Sequence, residues 1–580
     1  MRTRRVGLGA GALGAVLVLV PAFAAPSVAG QFGPGCTGRS AVAHYAGGVP
    51  VIPVPRNGAV PCGVSTGFAG AESHIVATAK SVIFTPAVQP SGLVGTGTAP
   101  VPIDSTTQSN ADPAGLAVTS DHGASWTLVK PAGVTWNPTD HGDFVDSRTD
   151  RLFFEDYGPI PLAPSLGAAQ EGPAHIMWTD TPTSSAGWHH VAVASMFLPE
   201  NPRFTTSAPP AGGAAPAGYP DVVYFCANTN VGFVSPVIAG RVCFKSLDGG
   251  SSFAPTGVLF TGTVPQHPEC GPSGEIYSAI DGYYPQPAPD GSLYVMVACG
   301  GSTYLARSTD EAATFPVIHG ATGAPVKIPV PPSSPGQVGS PDLRIDASGT
   351  MYVMWSTASK LLAIVSGDNG RSWTAPLDVT APGVTVGQWA MAEGAGTLAV
   401  AYLGHTAGQA TQDAYITGSR DLSAVLRGGR PILYSARVNE RPILYGSGIQ
   451  GSGYVTLPLG QRAPFPPPFG NQMFGNDFIG ATIAPDGSAW GSFDQDCGPT
   501  ADSPGCVAQA DQTRGFAGRL VWVAGQGATP EPAPGPLAPR PLPAPAVAAL
   551  PATGGRPLAL AGLLLGIAAL LAGFGRRRVT

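Results

Sequence analysis

Thr119-Ser-Asp121-His-Gly123-Ala-Ser125-Trp126, Ser246-Leu-Asp248-Gly-Gly250-Ser-Ser252-Phe253 and Ser366-Gly-Asp368-Asn-Gly370-Arg-Ser372-Trp373 are one pattern written three times. A fourth copy, Ser308-Thr-Asp310-Glu-Ala312-Ala-Thr314-Phe315, departs from it only at the glycine. The spacing predicts a tight hairpin in which the Asp carboxylate accepts from nearby backbone N–H groups, Gly takes a positive φ and the aromatic packs under the turn. Asp121, Asp248, Asp310 and Asp368 therefore do turn chemistry, not catalysis.

A second strand type alternates with these hairpins. It is clearest in Pro289-Asp290-Gly291-Ser-Leu-Tyr294, Ala347-Ser348-Gly349-Thr-Met-Tyr352 and Pro485-Asp486-Gly487-Ser-Ala-Trp490, and weaker at Asp150-Arg-Leu152 and Gly394-Ala-Gly396-Thr-Leu398. Lined up, the body yields about seven units of four strands, with six to eight as the range, and a repeating antiparallel sheet of that size is a propeller blade. The expected fold is all-β, a β-propeller over 65–525. A string of β-sandwiches is the rival, and it leaves the recurring hairpins unexplained. The first unit holds His74-Ile-Val and the hairpin at Asp121, the last runs from Asp477 to about Val523, and ring closure is expected to mix N-terminal and C-terminal strands.

The hairpin pattern resembles the Asp-box (BNR) repeat of sialidase-like β-propellers. That resemblance implies a propeller scaffold with its Asp boxes on the face away from the binding site. It does not extend to the active site. Sialidases hold the substrate carboxylate with three arginines, one in a Phe/Tyr-Arg-Ile-Pro motif, and no such motif occurs here. Asn201-Pro-Arg203-Phe and Asn439-Glu-Arg441-Pro442 have the wrong order or position, and only Arg344 falls on an expected channel strand.

Both ends read as addresses. Arg2, Arg4 and Arg5, an apolar run through Val20 and Ala22-Phe23-Ala24 form a secretory signal peptide over 1–24. Residues 25–64 follow as an N-terminal segment. A Pro-rich stretch, 526–549, is extended and suited to spanning a wall. Over 550–580, Leu550-Pro551-Ala552-Thr553-Gly554, an apolar run and Arg576-Arg577-Arg578 resemble the sorting signal of Gram-positive surface proteins. By that resemblance sortase cuts between Thr553 and Gly554 and joins the chain to peptidoglycan, so the membrane is met only through the C-terminal segment before processing. An ordinary membrane anchor is the alternative, since about 18 apolar residues just span a bilayer.

Composition agrees with an extracellular β protein. Charged residues are 11% of the 580, and Gly (79) and Pro (62) together make about a quarter. A net charge of −6, with basic clusters only in the targeting segments, gives no nucleic-acid signature. Eight cysteines without a CxxC pair favour disulfides over a metal centre. Connectivity is not fixed by sequence, but neighbours suggest Cys36–Cys62, Cys226–Cys243, Cys270–Cys299 and Cys497–Cys506.

Aligned starts of the expected inner strands are His74, Asp143, Asp221, Glu275, Asp342, Trp389 and Asp477, five of the seven being carboxylates. Carboxylates converging on a channel mouth repel one another unless something satisfies them. They could coordinate Ca²⁺, bind a polyol, or work in pairs as acid and base on a glycosidic bond, with Asp143, Glu275 and Arg344 as catalytic candidates. Alternatively each caps an adjoining loop. No resident cofactor is required. Asp140-His141-Gly-Asp143-Phe-Val-Asp146 with Glu155-Asp156-Tyr157 reads as a solvated loop and strand ahead of a metal site, and Trp188-His189-His190 as a blade edge. The expected function is wall-anchored recognition of a glycan or other surface ligand at the channel mouth. The alternatives are a secreted, sialidase-like glycoside hydrolase and a structural wall protein.

Overall fold

The computed structural model describes residues 33–523 apart from internal stretches, the longest being 87–114, 271–283, 465–478 and 497–512. They belong to one compact unit, Met1–Glu531. The signal segment, the Pro-rich stretch and the LPATG region with Thr553 and Gly554 lie outside the described residues, as do Asp140, His141, Glu275, Asp477, Cys497 and Cys506.

Seven antiparallel sheets of four strands make the ring of a seven-bladed β-propeller. From the inner strand outward, the first blade is His74–Ala77, Val82–Thr85, Leu116–Thr119 and Thr127–Val129. The second is Asp143–Val145, Leu152–Asp156, Pro173–Thr179 and His189–Phe197. The third runs Pro199–Ser207, Val222–Asn230, Ile238–Ser246 and Ala254–Thr261, and the fourth Gln286–Pro287, Leu293–Cys299, Ser302–Ser308 and Lys327–Ile328. The fifth is Asp342–Ile345, Met351–Ser356, Leu361–Ser366 and Leu377–Asp378. The sixth, Val384–Gly394, Thr397–Thr406, Thr411–Ser419 and Leu433–Arg437, gains Val42–Tyr45 and Val49–Pro50 on its outer edge. The seventh is Gly480–Ile483, Ala489–Asp496 and Thr513–Val523, with Gly58–Ala69 as its outer strand. The expected mixing of chain ends is thus present, and the propeller begins well before residue 65.

Each blade is covered on both faces, so its second strand is apolar without alternation. Met351, Tyr352, Val353 and Met354 are all fully buried. Their side chains still alternate between neighbours: Tyr352 and Met354 pack toward the sixth blade, Val353 and Trp355 toward the fourth. Seven interblade cores result, and the one joining Ile75 and Val82 to Trp490 and Ala517 closes the ring.

All four Asp hairpins join a third strand to an outer one. Asp121, Asp248, Asp310 and Asp368 accept the backbone N–H of Ser125, Ser252, Thr314 and Ser372 at 2.9–3.0 Å and their hydroxyls at 2.6 Å. The aromatics Trp126, Phe253, Phe315 and Trp373 each wedge into the core shared with the preceding blade. Two successive residues, not one, take positive φ, as in Asn369 (58°) and Gly370 (77°), and the glycine-less copy holds Ala312 at 63°. At Gly370 a Cβ would lie 2.2 Å from Leu305 Cδ2 of the fourth blade. Gly370→Ala is therefore expected to cost about 2 kcal/mol by denaturant unfolding, from overpacking plus backbone strain. An unchanged midpoint would refute that fit.

The same hydrogen bonds make the fold acid-sensitive. The Ser125 hydroxyl and N–H pull the Asp121 carboxyl down from 3.8 to about 2. Partial burial opposes the effect at Asp248, Asp310 and Asp368, but bonds from Ser252, Thr314 and Ser372 outweigh it and hold those carboxyls low too. Folded values below the unfolded ones contribute stability above about pH 4, lost as pH falls toward 2. Denaturation midpoints should drop across that window, and less steeply with Asn at 121, 248 and 368; equal slopes would count against the turns as the cause.

Disulfides join Cys36 to Cys62 and Cys226 to Cys243, and Cys270 is also bridged. The Arg430-Pro-Ile-Leu-Tyr434 and Arg441-Pro-Ile-Leu-Tyr445 duplication has a structural use: both copies pair with the third strand of the sixth blade, Tyr434 opposite Gly418 and Tyr445 opposite Thr411. Among the described residues no helix is long and apolar enough to cross a membrane.

Candidate functional site

The inner strands surround the channel, and four of the sequence-derived positions sit on them. His74 opens the first blade and Asp143 the second. Asp342 opens the fifth, and Trp389 lies midway along the inner strand of the sixth, partly buried against the core between those two blades. Asp221 does not: it directly precedes the second strand of the third blade, because a turn of more than ten residues separates that strand from the inner one. There it accepts from Arg148 Nη1 at 2.6 Å, on the side of the inner-to-second-strand turns.

Asp143 is held by its neighbours. His74 Nδ1 lies 3.1 Å from its Oδ1, and the Thr85 hydroxyl donates to its Oδ2 at 2.9 Å, so the carboxylate bridges the first two blades. It is also one step nearer the strand end than Asp342. Asp143 pairs with Phe154 two residues before its strand ends, Asp342 with Met354 three before. The side chains of the two aspartates accordingly leave opposite faces of their blades.

Asp342 belongs to a charged cluster spanning two blades. Arg344, two residues on and so on the same face, places Nε 3.0 Å and Nη2 2.9 Å from Asp342 Oδ2. Its Nε is 3.9 Å from Oε2 of Glu393 on the inner strand of the sixth blade. Burial works against the Arg344 charge, yet the Asp342 and Glu393 carboxylates outweigh it and raise its pKa, with Arg203 opposing them. Burial, with Asp342 and Asp346 adding to it, lifts the Glu393 carboxyl above the ordinary range against the pull of Arg344. The Arg344 side chain keeps 33% of its surface exposed, so this guanidinium is packed but reachable.

Arginine also comes from the third blade. Arg203 lies on its inner strand, 5.3 Å from the ring of Tyr284, and Arg241 stands over the same ring at 3.9 Å. Tyr284 is buried just ahead of the two-residue inner strand of the fourth blade. Arg203, Arg241, Tyr284 and Glu393 were not legible as site residues in the sequence. The one available signal was an arginine inside an apolar strand, as in Gly240-Arg-Val-Cys-Phe244 and Leu343-Arg-Ile345.

Chemically, the inner strands of blades three, five and six bring the cations Arg203 and Arg344 within electrostatic reach of each other and set Arg344 beside the carboxylates Asp342 and Glu393. Such a mixture can exchange hydrogen bonds with a polyol and offer a bidentate partner to an anionic group. Among the described residues no three His, Cys, Asp or Glu side chains converge on one metal position.

No family model matches the chain, and no curated protein matches it. Solved structures of similar shape include a protein of unknown function from Dyadobacter fermentans, 12% identical over 81% of this chain and 100% of that one, with a TM-score of 0.34. An ulvan lyase of a new polysaccharide lyase family is 10% identical over 74% and 93%, with a TM-score of 0.37. The NanB sialidase from Streptococcus pneumoniae is 10% identical over 79% and 69%, with a TM-score of 0.31.

Proposed function

We propose that this chain is a secreted, wall-anchored, Asp-box propeller that recognises a glycan at its central channel. The observation that carries the binding reading is the Asp342–Arg344–Glu393 cluster, with the guanidinium partly open to solvent and Arg203 close enough to oppose its charge. Paired charges on inner strands cost desolvation that core packing does not require, and a polar ligand uses them. The N-terminal and C-terminal addresses described above supply the surface location, with sortase joining Thr553 to peptidoglycan. A glycan array probed with the mature body tests the reading: retention of one glycan class supports it, and a blank array rules it out.

Glycoside hydrolysis is the second reading, favoured by one observation. Glu393, lifted above the usual carboxyl range, stands near Asp342, and two carboxyl groups in unlike environments are what acid–base cleavage of a glycosidic bond uses. Turnover of fluorogenic sialosides or other glycosides that vanishes in Glu393→Gln would establish it; wild-type inactivity across the panel would dismiss it.

A further inference from the structure

The outer edge of the second blade carries histidines that the channel does not use. His189 is stacked on Trp178 with centroids 3.8 Å apart, and Arg151 lies 3.7 Å from the same indole. That imidazole covers a hydrophobic surface. His190 does something else. Its Nε2 meets Nδ1 of His175 on the adjoining third strand, the two rings lying 4.6 Å apart and 23° from parallel.

Strand register explains the meeting. His175 faces Ala192 and His190 faces Met177, so the two imidazoles are diagonal neighbours on one face of the blade. Met177 is buried beneath them, whereas His190 and Ala192 are exposed and the methyl of Ala192 leaves the approach from solvent open.

Two ring nitrogens facing each other can share only one proton, since two N–H groups or two lone pairs would repel. One nitrogen of the facing pair therefore offers a lone pair while the other carries the proton between them. Neutral imidazoles converging at one point are the donors that first-row transition ions prefer. An ion in place of the shared proton accepts both lone pairs at once and ties the outer strand to the third.

We propose that His175 and His190 are the protein ligands of a transition-metal site on the outer edge of the second blade, with water completing the coordination shell. His190 is exposed, so the site is reachable from solvent. It stands on the outer pair of strands, apart from the channel, and does not depend on the ligand reading there.

Titration of the intact mature protein with Cu²⁺, followed by calorimetry and electron paramagnetic resonance, tests this. One ion per chain is expected, its spectrum split by two imidazole nitrogens. His175→Ala and His190→Ala should each weaken binding about tenfold or more and leave one coupled nitrogen, while His189→Ala should change neither. Because His190 is exposed, His190→Gln keeps the test informative if the His175 variant folds poorly. A spectrum without two-nitrogen coupling, or affinity unchanged in the His190 variants, overturns the proposal.

Discussion

A chain beginning at residue 70 is expected to show no cooperative unfolding transition. The lost segment supplies the outer strand of the seventh blade, Gly58–Ala69, which pairs along Thr513–Val523 from Gly58 opposite Val523 to Ala69 opposite Arg514. It also supplies Val42–Tyr45, which extends the sixth blade through Ala43 opposite Tyr434. Without them the last blade keeps three strands, its core residues Leu520 and Phe516 lose cover, and a row of backbone donors faces water. Burying or exposing one large apolar side chain is worth about 1.5–3 kcal/mol, and several are involved against a typical total of about 5–15 kcal/mol. Circular dichroism melting checks this directly. A sharp transition near that of the full body would mean that the ring does not need its N-terminal strand.

Arg344→Ala is expected to weaken glycan binding about a hundredfold while leaving the propeller folded. A charge-assisted hydrogen bond contributes about 1.5–3 kcal/mol, and loss of a guanidinium removes more than one. The same change leaves Asp342 and Glu393 facing each other without their shared cation. The Glu393 carboxyl should then rise further, so residual binding should become more pH-dependent than in the wild type. Arg344→Lys restores a charge without the two-pronged geometry and should recover only part of the affinity. Full affinity in Arg344→Ala would place the ligand elsewhere.

The scaffold was legible because its signals are local. An Asp four residues before a Ser or Thr determines a hairpin by short-range hydrogen bonds, and four such hairpins fall on four blades at equivalent places. Blades two, six and seven lack the motif, and their strands were recoverable only from apolar runs and from the turns at Asp150-Arg-Leu152, Gly394-Ala-Gly396 and Asp486-Gly487. The site was less legible, since inner-strand positions follow from blade-to-blade register. The insert before Asp221 carried that residue to the start of the next strand, just ahead of Val222, and a one-residue offset turned Asp143 toward the first blade, where His74 and Thr85 hold it. Arg203 and Arg241 of the third blade meet over Tyr284, which leads into the fourth, a proximity between blades that sequence spacing does not encode. The disulfide at Cys226 and Cys243 shows the converse case, because directly paired positions on adjacent strands lie close in sequence as well.

The account centres on a ligand bound at the inner strands and not at the turns. Calorimetric titration of the best glycan from the array into the wild-type body, Arg344→Ala and Asp121→Ala tests that most directly. Affinity lost with Arg344 and kept with Asp121 is the predicted result; affinity kept with Arg344 and lost with Asp121 would contradict it.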